Sequence, residues 1–186
     1  MEMNQNKQPL TTSGPLMAVD ALGRATPDVG SGAPLPRENR LVGLFYFLWL
    51  GEHGDAGIQD ITKILEQYGD QAGLASCPGW GPVFSIHHFA EPLYGYYYSI
   101  DTWVMRKHVE LLSNAGIDFL YFDTTNNYAY TENVLKLMSI LHEFNQRGYE
   151  APKVCFYTHT GADERVKTIY NAIYKKNMYP DTWYTW

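Results

Sequence analysis

Three carboxylates stand where a chain could use them for chemistry. Glu52 follows the apolar run 41–50, Glu91 precedes Pro92 in the aromatic stretch SIHHFAEPLYGYYYSIDTW, and Asp123 closes the apolar run IDFLYFD. Histidines accompany them: His53 beside Glu52, the pair His87 and His88 shortly before Glu91, and His159 at the end of KVCFYTHT. Carboxylates and imidazoles move protons near neutral pH, so general acid–base work is the first expectation. Two carboxyl groups flanking one bond are also the apparatus of glycoside hydrolysis, about 5–5.5 Å apart for retention and wider for inversion. Glu52, Glu91 and Asp123 are the candidates for that pair. A metal-dependent hydrolase is the alternative, because His53, His87 or His88, Asp123 and His159 include enough ligands for zinc, without any HxH or HExxH spacing. The prediction is no metal and no cofactor. Adjacent histidines in extended chain face opposite ways, so one of His87 and His88 at most is expected in a site.

The rings around these groups suggest what they would act on. The chain holds 15 Tyr, 8 Phe and 5 Trp, several in polar, glycine-containing loops where they suit stacking on the C–H faces of sugars. Trp49, His53, His87, His88, Tyr96, Asn126 and His159 are therefore read as substrate contacts. Tyr94, Tyr96, Tyr97 and Tyr98 must divide between packing and a sugar platform, and strand-like alternation would expose about two of them. His108 lies among Val104, Leu111 and Leu112 on a helical face and reads as a core-edge histidine. A non-catalytic carbohydrate-binding scaffold is a further alternative.

Charge narrows the partners. A net charge of -6 and a pI near 5.4 leave nothing to neutralise phosphates, so neither nucleic acid nor an anionic membrane is expected. No apolar run is long enough to span a bilayer, and MEMNQNKQPLTTSGPLMAV lacks the apolar core of a secretory signal, which fits a cytoplasmic protein. Cys77 and Cys155 form neither a CxxC nor a zinc pattern.

The elements that must position these groups follow from periodicity. Residues 1–40 are rich in Pro, Gly, Ser and Thr and read as an extended arm or linker; 41–186 read as one α/β domain. Apolar runs near 42–50, 117–124 and 153–160 predict strands buried on both faces, as in a parallel sheet. Helices are predicted from Asp60 to Gly69 (stripe Ile61, Ile64, Leu65, Tyr68), from Asp101 to Gly116, through TENVLKLMSILHEFNQRG (stripe Leu135, Met138, Ile140, Leu141; cap Thr131 or Asn127), and through ADERVKTIYNAIYKK. Strands alternating with helices give βαβ units and right-handed crossovers. The turn GEHGDAG after the first strand is not a GxGxxG, which argues against a dinucleotide fold. Each strand ends in polar residues, the habit of a (β/α)8 TIM barrel, where chemistry gathers at strand carboxyl ends. A barrel needs about 250 residues, so three units predict the N-terminal part of one, with its remainder beyond Trp186; a small open parallel α/β sheet is the alternative. Asp123 is then expected at the carboxyl end of the central strand beside His159, with Asn126 and Thr158 as neighbours. A purely structural role would tie it instead to Thr124, Thr125 or backbone N–H groups.

The segments VGLFYFLW, EPLYGYYYSIDTWVMRKHVELLSNAGIDFLYFDTTN and KVCFYTHT resemble barrel proteins grouped near glycoside hydrolase families 71 and 99, including a bacterial, Bacteroidetes-type set of secreted glycosidases. The resemblance spans about residues 41–186, with AVDALGR similar to the family's lead-in. It implies a (β/α)8 barrel acting on a polysaccharide or oligosaccharide and a periplasmic or secreted location. The family's His-Ile-Glu-Pro type motif at the third strand end has its counterpart here in YTHTGAD, where His159 aligns loosely and no glutamate directly follows it.

Overall fold

The structure, a computed structural model, describes residues 18–26, 40–50, 57–83 and 85–185. The chain lays down β1 (Gly43–Tyr46), α1 (Ile61–Tyr68), two short 3-10 turns (Gly69–Gly73 and Pro78–Trp80), α2 (Thr102–Asn114), β2 (Phe119–Asp123), α3 (Thr131–Gln146), β3 (Lys153–Tyr157) and α4 (Ala162–Ile169). A single π-turn, Tyr170–Tyr174, continues α4, and a 3-10 turn, Pro180–Thr182, precedes the last described residues. Local chemistry starts two of the helices. Asp60 accepts from the Lys63 N–H and Asp101 from the Val104 N–H, each at 3.0 Å, satisfying donors that a helix N-terminus leaves open.

All three strands are parallel, in the order β1-β2-β3, with Tyr46 paired to Phe122 and Asp123 to Tyr157. Parallel neighbours need helical crossovers, and α2 and α3 supply them. Beyond β3 the chain returns to the same edge: Trp183 bridges Val154 in parallel, and its neighbour Tyr184 donates its N–H to the Val154 carbonyl at 3.0 Å.

Alternation sorts the strand residues between two very different faces. Leu120, Phe122 and Val154 point into one core with Met105 and Val109 of α2, Val134, Leu137, Met138 and Leu141 of α3, and Ile169 and Ile173 beyond β3. The other face carries Phe45, Phe119, Tyr121, Cys155 and Tyr157, which are half-buried or exposed. The expectation of strands buried on both faces is therefore corrected. The crossovers pack on one side of the sheet, and among the described residues no helix covers the other. On that bare face Phe119 lies against Gly43 so closely that a Cβ there would overlap its ring. Glycine at 43 is what lets the two strands share that ring.

Several expected faces also shift. α1 does not join the sheet core; it packs principally on the two 3-10 turns, burying Ile64 with Ala72 and Cys77 nearby while Leu65 is exposed. On α2 the buried stripe is Val104, Met105 and Val109, and Leu111 faces out. α3 is capped by neither Thr131 nor Asn127: Tyr130, at φ +46°, occupies the cap position and its carbonyl accepts from Val134. Within the N-terminal 40 residues, 18–26 form a tight turn in which the Asp20 carboxylate accepts from the Leu22 and Arg24 N–H groups.

Candidate functional site

β2 is the central strand; its last residue pairs with Tyr157 of β3, while its ladder with β1 ends one residue earlier at Phe122. Asp123 is 8% exposed, and by alternation it points to the face that the helices leave bare. Its Oδ1 accepts from the Thr125 N–H at 3.0 Å and from Thr125 Oγ1 at 2.6 Å, a tight turn built by one carboxylate oxygen. The expected neighbours Asn126 and Thr158 are not its partners; Thr125 is, because the chain turns immediately and brings the second residue onward back to the carboxylate. Thr124 is fully buried and extends the ladder, donating its N–H and its hydroxyl to the Tyr157 carbonyl at 3.0 and 2.8 Å.

Rings occupy the same bare face. Phe45 packs edge-on to Tyr121 with centroids 4.6 Å apart and reaches Tyr157 at 6.2 Å, across the central strand. Phe47 contacts Phe45 at 4.8 Å and Trp49 at 4.7 Å. Phe47 and Tyr157 are each about half exposed, at 53% and 51%. Trp49 has its back against the core, and its buried Nε1 donor has no hydrogen-bond partner. His159 is exposed two residues beyond Tyr157, with Nδ1 3.3 Å from Thr160 Oγ1, at the same end of the sheet as Asp123. Asn126 is exposed in the turn after β2. The β2 and β3 turns touch: a Cβ at Gly161, whose φ is +59°, would meet Asn127 Oδ1 at 2.8 Å.

The remaining candidates are distributed elsewhere. Glu52 and His53 lie outside the described residues. His87 is structural, its Nε2 2.9 Å from the Trp80 carbonyl and its ring edge-on to Trp80. His88 turns to a different neighbourhood, between Tyr96 and Tyr97, as opposite-facing neighbours should. Glu91 is exposed and accepts from Thr62 Oγ1 at 3.4 Å, while Tyr96 Oη meets the same Thr62. Glu91 and Tyr96 thus belong to the start of α1. The loop tyrosines do not alternate as a strand: Tyr94, Tyr96 and Tyr97 are half-buried and Tyr98 is exposed. His108 is half-buried, its Nδ1 2.8 Å from the Tyr46 hydroxyl, and burial holds its pKa below the usual imidazole value. Burial also pushes the Tyr46 phenol far above its usual range.

The structure gathers Trp49, Asp123, Asn126 and His159 at the strand ends and groups His88, Glu91 and Tyr96 apart from them. Sequence reasoning missed Phe47 and Tyr157 as candidate rings, and it named Thr125 as the partner of Asp123 only for a structural role. Phe47 could have been found, since it lies two residues from Phe45 in extended chain; Tyr157 has no such partner on its own strand, where Phe156 faces the other way. Among the described residues no three His, Cys, Asp or Glu side chains are grouped so that they could hold a metal ion. No helix among them is long and apolar enough to cross a membrane. Compared with known proteins, the chain matches no protein-family model, no curated protein and no solved structure.

Proposed function

We propose that the chain forms the first part of a (β/α)8 barrel of the glycoside hydrolase type, binding a glycan at the carboxyl ends of its strands. The observation that carries this reading is the bare aromatic face at the strand ends, where half-exposed Phe47 and Tyr157 join one run of rings through Phe45, and Asp123, its Oδ1 tied to Thr125, pairs with Tyr157 in the ladder. Sequential strand order, helices on one face only among the described residues and the parallel return at Trp183 all support a barrel wall over a doubly wound sheet, which carries helices on both faces. In such a wall Phe45 and Tyr121 are interior layers, and Asp123, Phe47 and Tyr157 line the mouth. Rings supply apolar surface for pyranose C–H faces, and Asp123 with Asn126 and His159 supplies hydrogen bonds to hydroxyls. Hydrolysis needs a second carboxylate across the bond; Glu52, three residues after Trp49, is the candidate for that role.

The test is calorimetric titration with oligosaccharides from α-mannans and from plant and algal glycans, alongside release of reducing ends. Binding is expected, and Tyr157→Ala or Phe47→Ala should weaken it by about five- to tenfold, equivalent to about 1 kcal/mol of ring contact. Where turnover is measurable, Asp123→Asn should lower it at least about a hundredfold and leave binding nearly intact. Binding without turnover would identify a carbohydrate-binding scaffold. If none of these glycans binds, or if binding is indifferent to both ring substitutions, the reading is wrong.

A further inference from the structure

A run of rings joins the satellite that carries α1 to the sheet, and the strand-end site makes no use of it. Tyr96 Oη accepts the Thr62 N–H of α1 at 3.1 Å. The Tyr96 ring meets His88 at 5.6 Å, His88 meets Tyr97 at 5.0 Å, and Tyr97 meets His108 of α2 at 5.8 Å. His108 closes the run through its 2.8 Å hydrogen bond with Tyr46 on β1, and Tyr94 flanks it at 6.2 Å. The segment so fastened leaves the sheet at the carboxyl end of β1 and returns at the start of α2, which is the end where Asp123 stands.

His88 is the vulnerable member. Its Nε2 is buried and has no hydrogen-bond partner. A protonated imidazole donates from both nitrogens, so charging the ring would bury a cation's donor with no acceptor. The surrounding charges do not compensate. Glu91 reaches Thr62 rather than His88. On α2, Lys107 stands near Tyr94 and is neutralised by Glu110 at 2.6 Å, while Arg106 is held by Glu143. His108 faces the rings of Tyr46, Tyr94 and Tyr97.

We propose that this run of rings is an acid-released clasp: protonation of His88, followed by His108, frees the segment that carries α1 from α2 and the sheet. Burial holds both imidazoles below their ordinary pKa of about 6.5, so the clasped state binds fewer protons than the released one. The clasp is therefore whole above about pH 6.5 and weakens progressively as pH falls below it. Each unit by which a histidine is depressed multiplies the released fraction about tenfold.

Hydrogen exchange read by mass spectrometry at pH 7.5 and 5.0, corrected for intrinsic rates, tests this without any glycan. Peptides from 57–98 should lose about tenfold in protection at pH 5.0, and peptides from α3 should not. His88→Phe, which fills the same space and cannot charge, should keep 57–98 protected at both values. In the unsubstituted chain, proton NMR should show His88 titrating below the ordinary imidazole value of about 6.5. Equal protection at both pH values in the unsubstituted chain would overturn the proposal. So would a His88→Phe chain as pH-sensitive as its parent, or a His88 that titrates at 6.5 or above. Should His88→Phe not fold, the exchange and titration of the unsubstituted chain decide alone.

Discussion

Replacing Asp123 with alanine takes the acceptor from two donors at once, the Thr125 N–H at 3.0 Å and its hydroxyl at 2.6 Å. Each bond is worth about 1 kcal/mol net, somewhat more to a carboxylate, while removing a charge that is only 8% exposed returns part of its desolvation cost. The expected loss for Asp123→Ala is about 2 kcal/mol. Asp123→Asn keeps an amide oxygen in the accepting position and should cost less than about 1 kcal/mol. Thr125→Val removes only the hydroxyl bond and should cost about 1 kcal/mol, and the double variant should show a coupling of similar size, because that bond is the part of the interaction the two side chains share. Urea unfolding followed by circular dichroism gives all four free energies, and for a chain of this length 1 kcal/mol moves Tm by about 2–4 °C. An Asp123→Ala chain as stable as its parent, or a coupling of zero, would refute the idea that the Thr125 turn fixes this carboxylate. The reasoning for the site would fall with it, since a carboxylate with no fixed orientation offers no preorganised contact.

Two further outcomes follow from the same coordinates. Gly161→Ala places a Cβ 2.8 Å from Asn127 Oδ1 in a left-handed conformation that a side chain disfavours, so it should lower stability by about 1–2 kcal/mol in urea titrations and displace Asn127 in a crystal structure; an unmoved Asn127 would contradict the packing of the two turns. At Asp181 burial pushes the carboxyl pKa up, but hydrogen bonds from Asn145 (3.0 Å) and His142 (2.7 Å) outweigh it and leave the pKa below its ordinary value of about 3.8. Its contribution to docking the turn 180–182 is then present above about pH 3.8 and lost as pH falls further; tryptophan fluorescence should report release of Trp183 in that range, and Asp181→Asn should shrink the acid-dependent step.

Much of this protein is local and therefore readable along the chain. Asp60 and Asp101 cap helices because a carboxylate three residues ahead of a free N–H has nowhere better to bond. The apolar runs ending in Asp123 and His159 are strands whose helical connections force them parallel, which sends both polar ends the same way. That Asp123 and His159 share one end of the sheet was fixed by that logic before any coordinate. The choice of partners was not. Whether Asp123 takes Thr125 or Thr158 depends on how sharply the chain turns after β2, and the left-handed residues Asn127 and Tyr130 that shape the turn leave no periodic trace. α1 has as regular a stripe as α2, yet one packs on its own small turns and the other on the sheet, because a stripe says that a face will be buried and not against what. The bare aromatic face has the same origin. Apolar runs read alike whether one face or two are covered, and only the packing of the crossovers on a single side left Phe45, Tyr121 and Tyr157 open beside the carboxylate.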